Sequence, residues 1–208
     1  MTLKLWHVRH SRSLRPLWLS WEMGLEIEVT TIPNDRTFFA SDEWAKVNPA
    51  GKVPVLEDGP VRLGESVAIM QYLMGRHGPT DLDVKPADPD FPDYLFWLHY
   101  AEAGSAAYVA TLLGHVVGVP EYQVSKEHEA LLRRQCDRAQ AIVADAVRSH
   151  PFLLVRGFSA ADIAMGYTLH LMRLAKIPFR PEVAEWMTAL YARPAFARAL
   201  DLGKTAKA

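Results

Sequence analysis

The chain has 208 residues, of which half are hydrophobic and 23% charged, enough to bury a sizeable core and too apolar for wholesale disorder. Its 23 Lys and Arg are offset by 24 Asp and Glu, so no basic excess exists to neutralise a phosphate backbone and nucleic-acid binding is not expected. The single cysteine, Cys136, excludes an internal disulfide, a thiol redox pair and a cysteine-rich zinc site, and points to a reducing compartment.

Near the start, Arg9, His10 and Arg12 interrupt the stretch in which an export signal needs an unbroken apolar run, so a cytoplasmic location is expected. Residues 3–8 read as a short strand. Leu14, Leu17, Trp18, Trp21 and Leu25 then recur at helical spacing, with Pro16 tolerable because it falls in the first turn. Residues 26–32 alternate as a second strand, and a short helix follows. Residues 53–57 and 61–63 flank the turn Asp58-Gly59-Pro60 as a hairpin, and a helix is expected over about 65–76. The prolines Pro79, Pro86, Pro89 and Pro92 cannot continue a helix and read as an extended linker.

Beyond the linker, helical periodicity covers about 92–117, 125–149, 160–175, 182–191 and 194–200, with no convincing strand. The uncharged stretch 103–119 has the length to be considered as a membrane span. Gly104, Ser105, Gly114, His115 and Gly118 dilute its hydrophobicity, so it reads as a buried helix and no membrane is expected. Two domains follow: a mixed α/β unit over 1–78, a linker over 79–90 and an all-helical unit over 91–208.

Few motifs survive on chemistry alone. Ser159 and Asp162, three apart at the start of a helical run, fit a capping box, with Phe158 and Ile163 as its staple, which is a folding signal. Gly203-Lys204-Thr205 mimics the end of a phosphate-binding loop, but Arg198 stands where that loop needs its first glycine. His7 with His10, and His99 with Glu102, have no third ligand at a recognised spacing, so no metal is expected.

A larger pattern links the first domain. Asn48-Pro49-x-Gly51-Lys52-Val53-Pro54-Val55-Leu56, then Glu65-Ser66-x-Ala68-Ile69, set in strand, helix, strand, hairpin and helix and followed by a proline-rich linker and a helical domain, resembles the soluble glutathione S-transferases. The resemblance covers most of the chain. It implies the fold of that family, a thioredoxin-like domain followed by an all-α domain, with Pro54 in a cis peptide that turns the backbone before it toward the ligand. His10-Ser11-Arg12-Ser13-Leu14-Arg15 and Trp97-Leu98-His99-Tyr100-Ala101-Glu102 are similar to the serine-type branch of bacteria and fungi.

Activating a thiol requires a hydrogen-bond donor that favours thiolate over thiol. In the family this donor is Tyr, Ser or Cys just after the first strand. No tyrosine precedes Tyr72 and the only cysteine is Cys136, so the resemblance leaves a serine. Ser11, four residues before Arg15, matches the family's catalytic serine and is preferred to Ser13, which is placed to cap the first helix. The resemblance further implies that Ser66 binds the γ-glutamyl carboxylate at a helix N-terminus. Glu65 would then hold the neighbouring ammonium, Val53 pair its backbone with the cysteinyl part and Lys52 reach the glycyl carboxylate.

Phe96, Tyr100, Tyr108 and Leu112 are candidates for an apolar pocket. The implied activity is the detoxifying conjugation of glutathione, a cosubstrate and not a permanently bound cofactor, to a small hydrophobic electrophile by a cytoplasmic homodimer. Two other readings stand beside it. One is a glutathione-dependent isomerase, although Arg12 occupies the place of that group's cysteine. The other is a non-catalytic binding member of the same fold, for which His10 beside Ser11 leaves most room.

Overall fold

The computed structural model describes residues 3–202, so Gly203-Lys204-Thr205 lies outside the described residues. The chain forms two compact units. The first comprises residues up to Asp83 together with those from Arg193 onward; the second runs from Val84 to Ala192.

In the first unit, β1 (Leu3–His7), β2 (Ile27–Thr31), β3 (Val55–Asp58) and β4 (Val61–Leu63) form one sheet in the order β2-β1-β3-β4. β1 runs parallel to β2, with Leu5 opposite Val29, and antiparallel to β3, with Leu5 opposite Leu56. The central strand shows why the sequence settles here. Leu3, Leu5 and His7 alternate as buried residues, and the intervening Trp6 packs edge-on against Trp44 at 5.5 Å on the opposite side. Both faces are therefore covered. The connection expected as one short helix is two, α2 (Arg36–Phe39) and α3 (Asp42–Val47), because Asp35 and Ser41 each supply a side-chain cap.

Helix α1 (Leu14–Glu22) packs against α4 (Ser66–His77). Every residue from Leu14 to Ser20 is buried, so α1 needs apolar cover on all sides. Part of it comes from the far end of the chain, where α10 (Pro194–Asp201) stacks Phe196 on Trp18 with ring centroids 3.9 Å apart. Arg193 grips Glu22 through two bonds of 2.7 Å, and Glu22 also accepts the Trp18 indole N–H at 2.8 Å. Residues expected to close the helical domain thus belong to the first unit.

The second unit consists of α5 (Phe91–His99), a π-helical segment (Tyr100–Ala106), α6 (Ala107–Val116), α7 (Lys126–Val147), α8 (Ala160–Leu174) and α9 (Pro181–Tyr191). The first three form one continuous rod with a wide turn inside it. Trp97, Ala101, Ser105 and Val109 are all buried at four-residue spacing, a pattern that drifts by about 40° per step in an α-helix but stays on one face when the helix is underwound. The Ser105 hydroxyl donates to the carbonyls of Tyr100 and Ala101, and Thr168 on α8 donates to Ala101 at 2.8 Å, serving carbonyls at the irregularity. Gly104 is also required: a Cβ there would lie 2.3 Å from the Tyr100 ring. Among the described residues no helix is long and apolar enough to cross a membrane.

Helix α8 is buried from Ala160 to Met172, and its start carries the capping box of Ser159 and Asp162. Asp162 accepts the Ser159 N–H and also the Leu153 N–H, each at 2.9 Å, so it pins the preceding loop as well as the helix. Burial pushes its carboxyl up from 3.8 to about 6 against these bonds. The stability contributed by the protonated form is complete below 3.8 and is lost as pH rises to about 6. Asp162→Ala orphans two buried donors at about 1 to 3 kcal/mol each. Its deficit against wild type, followed by urea denaturation, is expected to be largest near pH 4 and to shrink toward neutrality.

Candidate functional site

The chain leaves β1 through a tight turn, with Ser11 N–H bonded to the Val8 carbonyl at 3.1 Å and Leu14 N–H to the Ser11 carbonyl at 3.0 Å. His10 takes a left-handed φ of 60° within it, a conformation a side chain adopts only when its surroundings hold it. The turn presents two serines differently. Ser11 is half-buried and Ser13 fully buried. Ser13 occupies the position before α1 but makes no side-chain cap, contrary to the role expected for it. Its hydroxyl is taken by longer-range partners: His7 Nδ1 at 2.8 Å, the Val8 N–H and carbonyl at 3.2 Å each, and the Ser11 hydroxyl at 2.7 Å.

His7 is wholly buried, and among the described residues its Nε2 has no hydrogen-bond partner. Burial, with a smaller push from the neighbouring His10, brings its pKa down from 6.5 to about 4, so the ring is neutral at physiological pH. The corresponding stability is present above 6.5 and is lost as pH falls through about 4.

One side chain joins this turn to the second half of the site. Arg15 is completely buried in α1, and its Nη1 donates to Ser66 Oγ at the first position of α4, at 3.1 Å. Ser66 is buried, while Glu65 before it is exposed with φ 65° and makes no side-chain cap to its own helix. The helix thus begins with free backbone donors, an exposed carboxylate and a strained backbone, which together suit a zwitterionic ligand. The Val53-Pro54 peptide is cis. Lys52 is exposed and Val53 half-buried, and Asn48 holds their loop by donating Nδ2 to the Lys52 carbonyl at 2.7 Å. A second cis bond, Gly78-Pro79, was not expected.

Arg15 served the sequence argument only as a spacing marker, and His7 only as an unsupported metal ligand. Arg15 did carry a signal: an arginine inside the apolar run Leu14 to Trp18 is either exposed or paired. Nothing in the sequence separates His7 from any other strand histidine. Among the described residues no three His, Cys, Asp or Glu come together in a way that could hold a metal ion.

In the helical unit, Phe96 and Tyr100 stack at 5.1 Å and line an open apolar depression of about 490 Å³ with Pro92, Leu95 and His99. Tyr108 lies outside it; burial and the Tyr100 hydroxyl push its phenol far above the usual range. Leu112 is fully buried and lines no open surface, because it follows Val109 by three residues on regular α-helix and turns into the core.

The sheet order, the cis proline and the α4 start define a thioredoxin-like domain joined to a helical one. The family model for the glutathione S-transferase N-terminal domain matches residues 1–75. The chain is 31% identical over 175 residues to glutathione S-transferase theta-1 of Bos taurus, covering 78% of this chain and 70% of that one. It is 25% identical over 211 residues to glutathione S-transferase 3 of Schizosaccharomyces pombe, covering 92% and 84%. Among solved structures, a theta class glutathione S-transferase of Xanthomonas axonopodis pv. citri with glutathione bound superposes with a TM-score of 0.79 at 25% identity, covering 96% of this chain and 97% of that one. The chain belongs to the glutathione S-transferase family.

Arg15→Met is expected to lower stability by about 1.5 to 3 kcal/mol, the scale for a hydrogen bond to a charged group, and to weaken glutathione binding in calorimetry through the released Ser66. Arg15→Lys restores the charge without the planar fork and should recover only part of either loss.

Proposed function

We propose that the protein is a serine-type glutathione transferase in which the Ser11 hydroxyl donates a hydrogen bond to the glutathione thiolate. The observation that carries this is the unequal burial of the two serines: Ser13 is closed off and engaged with His7 and Val8, whereas Ser11 is half-exposed at the mouth of the turn. The γ-glutamyl carboxylate is assigned to the Ser66 N–H and hydroxyl at the start of α4, and the ammonium to the exposed Glu65. The Val53 backbone, fixed beside Pro54, pairs with the cysteinyl amide, and Lys52 reaches the glycyl carboxylate. Domain roles follow: residues 1–78 bind glutathione, 79–90 link, and the helical domain expected over 91–208, without the residues from Arg193 onward that belong to the first unit, forms the electrophile pocket.

On this reading the thiolate, held and oriented, attacks a small hydrophobic electrophile by addition or displacement. Phe96 and Tyr100, which line the depression in the helical unit, are the candidate aromatic side chains to meet it. Neither step calls on a permanently bound cofactor. The working form is taken to be a cytoplasmic homodimer, as is usual for the family. Sedimentation at micromolar concentration should give twice the monomer mass, and a monomer mass would refute this part.

Ser11→Ala is expected to fold and bind glutathione but to lose about ten- to a thousandfold in turnover, the scale for removing one oriented donor. A chromogenic aryl halide serves as the assay substrate. Full turnover in Ser11→Ala would sink the assignment, and glutathione binding without turnover by the wild type toward a panel of electrophiles would favour the non-catalytic reading.

A further inference from the structure

We infer that His7 and Ser13 act as positioning residues that make Ser11 an obligate hydrogen-bond donor: the chain His7 Nδ1, Ser13 Oγ, Ser11 Oγ is directional, and it leaves the Ser11 hydrogen as the one without an internal acceptor. This rests on Ser11 being the thiolate's donor, and explains why that hydroxyl points its hydrogen outward before any ligand arrives.

His7 is buried with Nε2 unpartnered. A buried N–H without an acceptor is rarer and costlier than a bare ring lone pair, so the proton of the neutral ring sits on Nδ1. Nδ1–H then donates to Ser13 Oγ at 2.8 Å, and the Val8 N–H donates to the same oxygen at 3.2 Å. With both acceptor sites of its oxygen filled, Ser13 contributes only its own hydrogen. Two acceptors lie in reach, Ser11 Oγ at 2.7 Å and the Val8 carbonyl at 3.2 Å, and the shorter contact lies at the usual O–H···O distance. Ser11 Oγ therefore accepts from the Ser13 hydroxyl, and it accepts the Ser13 N–H at 3.3 Å as well. Its two lone pairs are thereby occupied. A hydroxyl in this state can only donate, which is what a thiolate requires and a neutral thiol does not.

A lone serine hydroxyl rotates and accepts as readily as it donates. Here the preference is set from behind by a neutral histidine, and each bond polarises the next. His7 and Ser13 touch no substrate. Their influence passes only through the Ser11 oxygen.

The test is the pKa of enzyme-bound glutathione, read from thiolate absorbance across pH, in the wild type and in Ser11→Ala, Ser13→Ala, His7→Leu and His7→Asn. Asparagine places an amide N–H where Nδ1 stood. Ser13→Ala and His7→Leu are each expected to raise the thiol pKa by about half to one unit, a three- to tenfold loss of thiolate at a fixed pH below it. His7→Asn should restore most of that loss, and adding Ser13→Ala to Ser11→Ala should change nothing further. If Ser11→Ala raises the pKa while folded Ser13→Ala and His7→Leu do not, the relay is overturned and the functional reading stands. A flat response to Ser11→Ala itself overturns the functional reading, and the relay with it. Equal rises in His7→Leu and His7→Asn, or a further rise in the Ser11→Ala background, mark a structural effect and also overturn the relay. Should Ser13→Ala fail to fold, the two His7 variants decide alone.

Discussion

A guanidinium with no access to water must be held by hydrogen bonds or the helix carrying it does not form. Arg15 imposes that condition on the first unit. Its bond to Ser66 ties the beginning of α1 to the beginning of α4, so the turn bearing Ser11 and the turn bearing Glu65 are set against each other by this buried contact and by the packing of the two helices. Around it the remaining constraints nest: α1 is buried on every side, α10 supplies part of that cover, and the Glu22 carboxylate joins Trp18 and Arg193 in one cluster.

The sequence exposes what is periodic or local. The short strand-like run at 3–8 marks the central strand, the spacing of Ser159 and Asp162 marks a helix start, and the motif around Pro54 marks, through family resemblance, the loop with the cis proline. Features that depend on a distant partner are silent in it. Ser13 looked like a helix cap because S-x-S before an apolar run usually is one; the buried imidazole six residues earlier took the hydroxyl instead. The helix at 194–200 was visible, but its stacking on Trp18 was not, since a helical stripe says which face is buried and not against what. The one short helix that proved to be two illustrates the same limit at short range: Asp35 and Ser41 cap only once the chain has turned.

Two buried groups, one in each unit, respond to acid in opposite senses. In the first, His7 must be neutral to stay buried, so protonation weakens it as pH falls from 6.5 toward about 4. In the helical unit, buried Asp162 favours its proton, so the same interval strengthens it. A single melting curve of the whole chain therefore understates both effects, and a probe in either unit, such as hydrogen exchange at β1 or at α8, separates them.

The underwound segment between α5 and α6 makes the rod tolerant of a change in residue count. It keeps Trp97, Ala101, Ser105 and Val109 in phase at four-residue spacing where an ordinary helix would spiral away. Loss of one codon within 100–106 would let the rod regularise, the faster winding of the α-helix offsetting most of the rotation lost with the residue. A change in residue count can thus be absorbed inside the segment while the helices on either side keep their faces, and a position-by-position comparison of sequences would register it only as a gap.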